Sequence, residues 1–238
     1  YRSSNLEIIP GSALDLSAQN DAPAGKYGPA VLSPDGRVVF ENAPEQPVRL
    51  LGFNTFAMNG IMAIKDNDEF KAAVRRFAQA AKRQGYNLFR TQSFDRWLVL
   101  DSKQEYQLNP FYLDRTDFLI AELKKQGIYT HLPIFNFNLF SRERNTFRDR
   151  TLHKFMMYFD GEWEMKHFRF GVKSLLEHVN PYTGVAWKDE PAIFCIEYYN
   201  EQSLGLGDRM VSLFRAHPEA EKHILKFWRA WLEKKYGR

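Results

Sequence analysis

Two acids and an amide stand close together near residue 200. The run Ala192–Ile193–Phe194–Cys195–Ile196–Glu197–Tyr198–Tyr199–Asn200–Glu201 follows Pro191. It is mostly apolar and too short for an ordinary helix, so it reads as a buried strand. Two-residue alternation puts Cys195, Glu197, Tyr199 and Glu201 on one face, with Asn200 on the other side of the pleat or turned at its end. A carboxyl group at a strand end can pass a proton to or from a reacting oxygen while a neighbouring amide holds a hydroxyl. It can equally cap the loop that follows. Glu197 lies one layer deeper, where a carboxylate needs a partner, and Arg90 is the candidate.

Other residues offer contacts rather than chemistry. Asp95 and Trp97 follow a second strand-like run and suit a hydroxyl acceptor and a ring platform. Asn54 ends the first strand, with loop capping as its alternative role. Asn136 and Asn138 are interleaved with Phe135, Phe137 and Phe140, which either stack on sugar rings or pack on a rim; packing is the preferred reading. His131 sits mid-strand and reads as a satisfied core imidazole. His153, Met156, Met157, Met165 and His167 match no metal-ligand spacing and read as packing. Arg142, Arg144, Arg148, Arg150 and Lys154 are interrupted by Glu143 and Asp149 and read as a solvated loop, with anionic-polymer binding as the alternative.

These residues need a scaffold, and the pattern supplies one. Asp66 with Glu69 three residues on marks a helix start; Phe70, Val74, Phe77 and Ala81 form its stripe and Gly85 its stop. A further helix is predicted from near Asp114 to Gly127, and another over 162–179 with Phe168, Val172, Leu175 and Val179 on one face. The last opens at Pro218 and stops at Gly237. Strands are expected at 48–56, 86–91, 128–135 and from 192. Strand and helix therefore alternate four times, which implies parallel strands covered by helices. No Gly-rich phosphate turn follows the first strand, which favours a barrel over a doubly wound sheet. Residues 1–47 read as an N-terminal extension with a β-hairpin turning at Ser33–Pro34–Asp35–Gly36, and 48–238 as the main domain.

Composition narrows the classes. The 238 residues are 44% hydrophobic and 26% charged, with a net charge of +4. The basic residues are interspersed with acids, which argues against a nucleic-acid-binding patch. Cys195 is the single cysteine, so there is no internal disulfide framework and no multi-Cys zinc site. No uninterrupted apolar run approaches membrane-spanning length. The chain starts at Tyr1 rather than Met, so any export signal lies out of view.

Assembled in this order, Val48–Asn54, Gly85–Arg90, Asp117–Tyr129 and Asp189–Glu201 resemble the first half of a clan-A glycoside hydrolase, the cellulase-like (β/α)8 superfamily. The resemblance implies a (β/α)8 TIM barrel of which about four β/α units are present. It also implies a retaining β-glycosidase mechanism on a polysaccharide or oligosaccharide. Glu201 would be the general acid/base, Asn200 would bind the sugar 2-hydroxyl, and Arg90 would orient the opposing carboxylate. Asn136 falls near where related cellulases carry a histidine. The nucleophile belongs to a seventh strand for which 238 residues leave no room. The chain is thus expected to be part of a larger enzyme, or a half-barrel completed by a second half or by self-association, and inactive alone. No cofactor, nucleic acid or membrane is implied, and a secreted or periplasmic setting is expected. The competing reading is a non-catalytic carbohydrate-binding or scaffold barrel.

Overall fold

A computed structural model describes residues 7–55, 57–92, 94–99, 104–136, 141, 152–153, 155–201, 212 and 214–237. Strands β3 (Gly52–Asn54), β4 (Leu88–Arg90), β5 (Tyr129–Pro133) and β6 (Ile193–Glu197) form one parallel sheet, each beside the next in sequence. A doubly wound sheet reverses its order at a switch point. This one does not, and with helices on one face it is a partial α/β barrel.

The helices begin and stop where the chain satisfies its own backbone. Helix α1 spans Ala57–Ala63 and α2 spans Asn67–Arg83, where the Asp66 side chain accepts the Glu69 N–H at 2.7 Å. Phe70, Val74, Ala78 and Ala81 of α2 are buried. Short helix α3 (Phe94–Val99) precedes α4 (Pro110–Lys125). Helix α4 starts four residues before the expected Asp114. Asn109 caps it by accepting the Phe111 N–H, and Pro110 is preset for the first turn. Helix α5 (Glu162–Leu176) stops short of the expected Val179, which is 54% exposed and bridges to Ala186. Its buried face is Glu164, His167, Gly171 and Leu175, with Phe168 and Val172 at the margin. Helix α6 (Pro218–Tyr236) ends at Gly237 in the left-handed region.

The amino-terminal ends of the strands are closed from below. Strands β1 (Ala30–Leu32) and β2 (Val38–Phe40) pair antiparallel. Phe40 lies flat on Tyr129, the first residue of β5, at 5.1 Å, and meets Phe194 edge-on at 6.4 Å. Ala24, Ala192, Leu50 and Leu88 complete this small cluster. The approach is tight: a Cβ on Gly25 would come within 2.8 Å of the Ala192 nitrogen.

Pairing of β5 with β6 slips by one residue. Thr130 faces Ile193, but His131 faces Cys195. The extra residue, Phe194, joins the lower cluster. Ile193 and Ile196 pack on the helix-covered core instead. This bulge breaks simple alternation along β6.

Candidate functional site

The register lines up four polar side chains. Asn54 pairs with Arg90, Arg90 with His131 and His131 with Cys195, one from each strand. Asn54, Arg90 and His131, with Gly52, Phe53 and Leu88, line a shallow depression of about 330 Å³.

Glu197, two residues beyond Cys195, gathers this row into a network. Its Oε2 accepts from Arg90 Nε at 3.0 Å and Nη2 at 2.8 Å, and His131 Nε2 lies 3.0 Å away. Arg90 Nη2 also donates to Asn200 Oδ1 at 2.7 Å. Both Arg90 and Glu197 are largely withdrawn from solvent, which makes the pairing consequential. Burial pushes the His131 imidazole below the ordinary histidine value, with the Glu197 charge opposing. Burial pushes the Cys195 thiol up, as does the Glu197 charge, so it stays protonated at neutral pH.

Past β6 the chain departs from the expected alternation. Residues 198–200 form a bend, and the Asn200 N–H donates to the Phe135 carbonyl at 2.9 Å. Tyr199 turns away from Glu197 into the helix-covered core against Phe135, while Asn200 comes round to Arg90. Asn200, not Tyr199, therefore shares the Glu197 side. Glu201 follows at φ +54°, exposed, at the carboxyl end of the sheet.

Other candidates separate from this cluster. Asp95 is fully buried in α3, where its Oδ2 accepts the Asn136 backbone N–H at 2.9 Å. This bond ties α3 to the segment that follows β5. Trp97 is half-buried, with part of its side chain packed against the hydrophobic core. Asn136 is 1% exposed, and its side-chain amide has no hydrogen-bond partner among the described residues. Phe135 is packed between Phe168 and Tyr199. Phe137, Asn138, Phe140 and the basic residues 142–150 and 154 lie outside the described residues.

His153 and His167 sandwich Trp163 at 4.7 and 3.8 Å. His153 pairs with Glu164, and His167 Nδ1 donates to the Trp163 carbonyl at 2.9 Å. Among the described residues no three metal-ligating side chains converge. His131 is the network member that strand periodicity alone misses. Its signal is a titratable residue within a strand, between Thr130 and Leu132, at the register position of Arg90.

No family model matches the chain. It is 35% identical over 162 residues to mannan endo-1,4-beta-mannosidase 3 of Oryza sativa subsp. japonica, covering 63% of this chain and 33% of that protein. It is 32% identical over 165 residues to mannan endo-1,4-beta-mannosidase 4 of the same plant, covering 64% and 35%. The chain thus spans about a third of the length of these relatives. A glycoside hydrolase family 5 mannosidase from Rhizomucor miehei superposes with TM-score 0.56 at 13% identity, over 80% of this chain and 53% of that one. The endo-1,4-beta-mannanase from the same fungus gives 0.51 at 19%, over 79% and 56%. Together with the sequential parallel sheet and its polar upper end, these likenesses support a resemblance to the clan-A, cellulase-like glycoside hydrolases, with a partial coverage that fits the N-terminal half of their fold.

Proposed function

We propose that this chain supplies the acid/base half of a retaining endo-acting β-mannan hydrolase. The observation that carries the reading is the Arg90–Glu197–Asn200 network at the carboxyl ends of parallel strands, with Glu201 next in the chain. In this reading Glu201 protonates the glycosidic oxygen and later takes a proton from the attacking water. A carboxylate from a segment outside residues 1–238 attacks the anomeric carbon from about 5–5.5 Å away. Asn200 holds the 2-hydroxyl, and Arg90 presents positive charge to the attacking carboxylate. Asn54 lines the adjoining depression, where a further sugar hydroxyl fits.

Residues 1–47 serve as the extension that seals the lower end, and 48–238 as the half-barrel. A second half-barrel continues the sheet beyond β3 and β6, the sheet's outer strands among the described residues, and brings the nucleophile. The relatives' names point to mannan as the substrate, and we place the whole protein in a secreted or periplasmic setting.

The test is turnover of β-1,4-mannan and manno-oligosaccharides by the 238-residue chain alone and by a longer protein carrying the relatives' remaining length. Hydrolysis by the longer protein that Glu201→Gln abolishes is the expected result. Binding without turnover in the longer protein would support a carbohydrate-binding barrel instead. Turnover by the chain alone would overturn the placement of the nucleophile.

A further inference from the structure

A guanidinium only donates hydrogen bonds, so the Asn200 atom 2.7 Å from Arg90 Nη2 is the carbonyl oxygen. The Asn200 NH2 group therefore points elsewhere. What fixes this choice is the position of Arg90, and that position is set by Glu197, which takes both Nε and Nη2 on one oxygen. The same oxygen meets His131 Nε2 at 3.0 Å. A carboxylate accepts only, so His131 carries its proton on Nε2.

We propose that His131 is a positioning residue: through Glu197 it holds Arg90 against the Asn200 oxygen, so that Asn200 offers N–H donors to a sugar hydroxyl. This rests on the proposed function only in naming the sugar. The groups facing the ring are Arg90 from β4, and Glu197 and Cys195 from β6. The half-buried thiol stays neutral, so Arg90 and Glu197 carry the nearby charge. A neutral His131 lets one carboxylate oxygen serve both donors. Once protonated, it sets a second positive charge against the guanidinium, and the repulsion falls on Arg90 and its contact with Asn200. Burial delays that protonation to pH values below the ordinary histidine midpoint.

Side-chain NMR on the intact 238-residue chain tests this without sugar. In the wild type, the His131 ring should show the Nε2–H tautomer and a depressed midpoint. The Asn200 amide signals should move with that same midpoint. His131→Leu, which removes the donor, should displace the Asn200 signals at all pH values. His131→Gln, which keeps an N–H donor, should restore them at neutral pH and abolish their pH-dependent movement. Asn200 signals that ignore both the His131 titration and His131→Leu would overturn the proposal. Should His131→Leu not fold, the wild-type titration decides alone. Failure of mannan cleavage would sink the proposed function and leave this inference standing, and the reverse holds equally.

Discussion

Arg90 reaches Glu197 by a fork that closes on a single oxygen, with Nε and Nη2 at 3.0 and 2.8 Å from Oε2. The two residues come from β4 and β6, with β5 between them, so the pair spans three strands. Removing one partner leaves a charge in a site largely withdrawn from water. Glu197→Leu should therefore cost about 1–3 kcal/mol. The double change Arg90→Met with Glu197→Leu should cost less than the two single losses added. Urea unfolding of the four proteins measures this coupling; strict additivity would show the pair to be energetically idle.

The underside of the sheet offers a test of packing that is independent of chemistry. Gly25 and Gly36 both have φ near +80°, but their surroundings differ. A Cβ at Gly36 meets nothing within 4 Å, whereas at Gly25 it meets the backbone of Ala192 and Pro191 at 2.8–2.9 Å. Gly36→Ala should cost about 1 kcal/mol, the strain of the left-handed region alone. Gly25→Ala should cost at least about 2 kcal/mol more, because backbone on both sides must separate. Thermal unfolding of the two variants makes the comparison. Equal losses would mean that the extension does not press on β6.

Much of this architecture is legible in the sequence because it is locally encoded. Asp66, Gly85, Gly127 and the turn at Ser33–Gly36 act on their own neighbours, and the apolar runs between them are unambiguous. Helix α4 begins at Pro110 because Asn109 and Pro110 are an equally local signal, one that a search for the first acidic residue passes over. The placement of Asn200 is different. It depends on the bulge at Phe194, which is drawn to Phe40 of the distant hairpin, and on the bend fixed by the Phe135 carbonyl. The burial of Asp95 likewise depends on α3 closing over the end of β5. Such non-local contacts leave no periodic mark, so alternation assigns Tyr199 and Asn200 to the wrong sides.

A buried acid in α4 makes stability depend on pH. Asp117 accepts from Trp187 Nε1 at 2.8 Å and pairs with His178 at 2.6 Å, and its own carbonyl accepts from Asn180. It thereby pins the 178–187 segment that leads into β6. Burial pushes its carboxyl up to about 6, although its His178 and Trp187 contacts pull the other way. A carboxyl raised in the folded state favours folding most below its unfolded value of about 4, and that contribution is lost as pH rises through about 6. The stability difference between wild type and Asp117→Asn should thus shift against the wild type by about 2–3 kcal/mol between pH 4 and 7. Denaturant midpoints at pH 4, 5.5 and 7 read this directly. A difference that is flat with pH would place the ionisation elsewhere.

The amide at position 200 separates fold from recognition. Asn200→Asp keeps an oxygen for Arg90 Nη2 to meet, so the network can close as before. It replaces the outward N–H donors with a second acceptor carrying negative charge. On the proposed function, the longer enzyme bearing this change should fold with stability within about 1 kcal/mol of the wild type. Its kcat on manno-oligosaccharides should fall by on the order of 10²-fold, as when a positioned donor is lost. Asn200→Ala should also lose turnover, but it leaves Arg90 without that acceptor and should lower stability as well. The pair of variants distinguishes the two roles: equal activity losses with unequal stability losses are expected. Retained turnover in Asn200→Asp would mean that no substrate hydroxyl depends on the Asn200 donors.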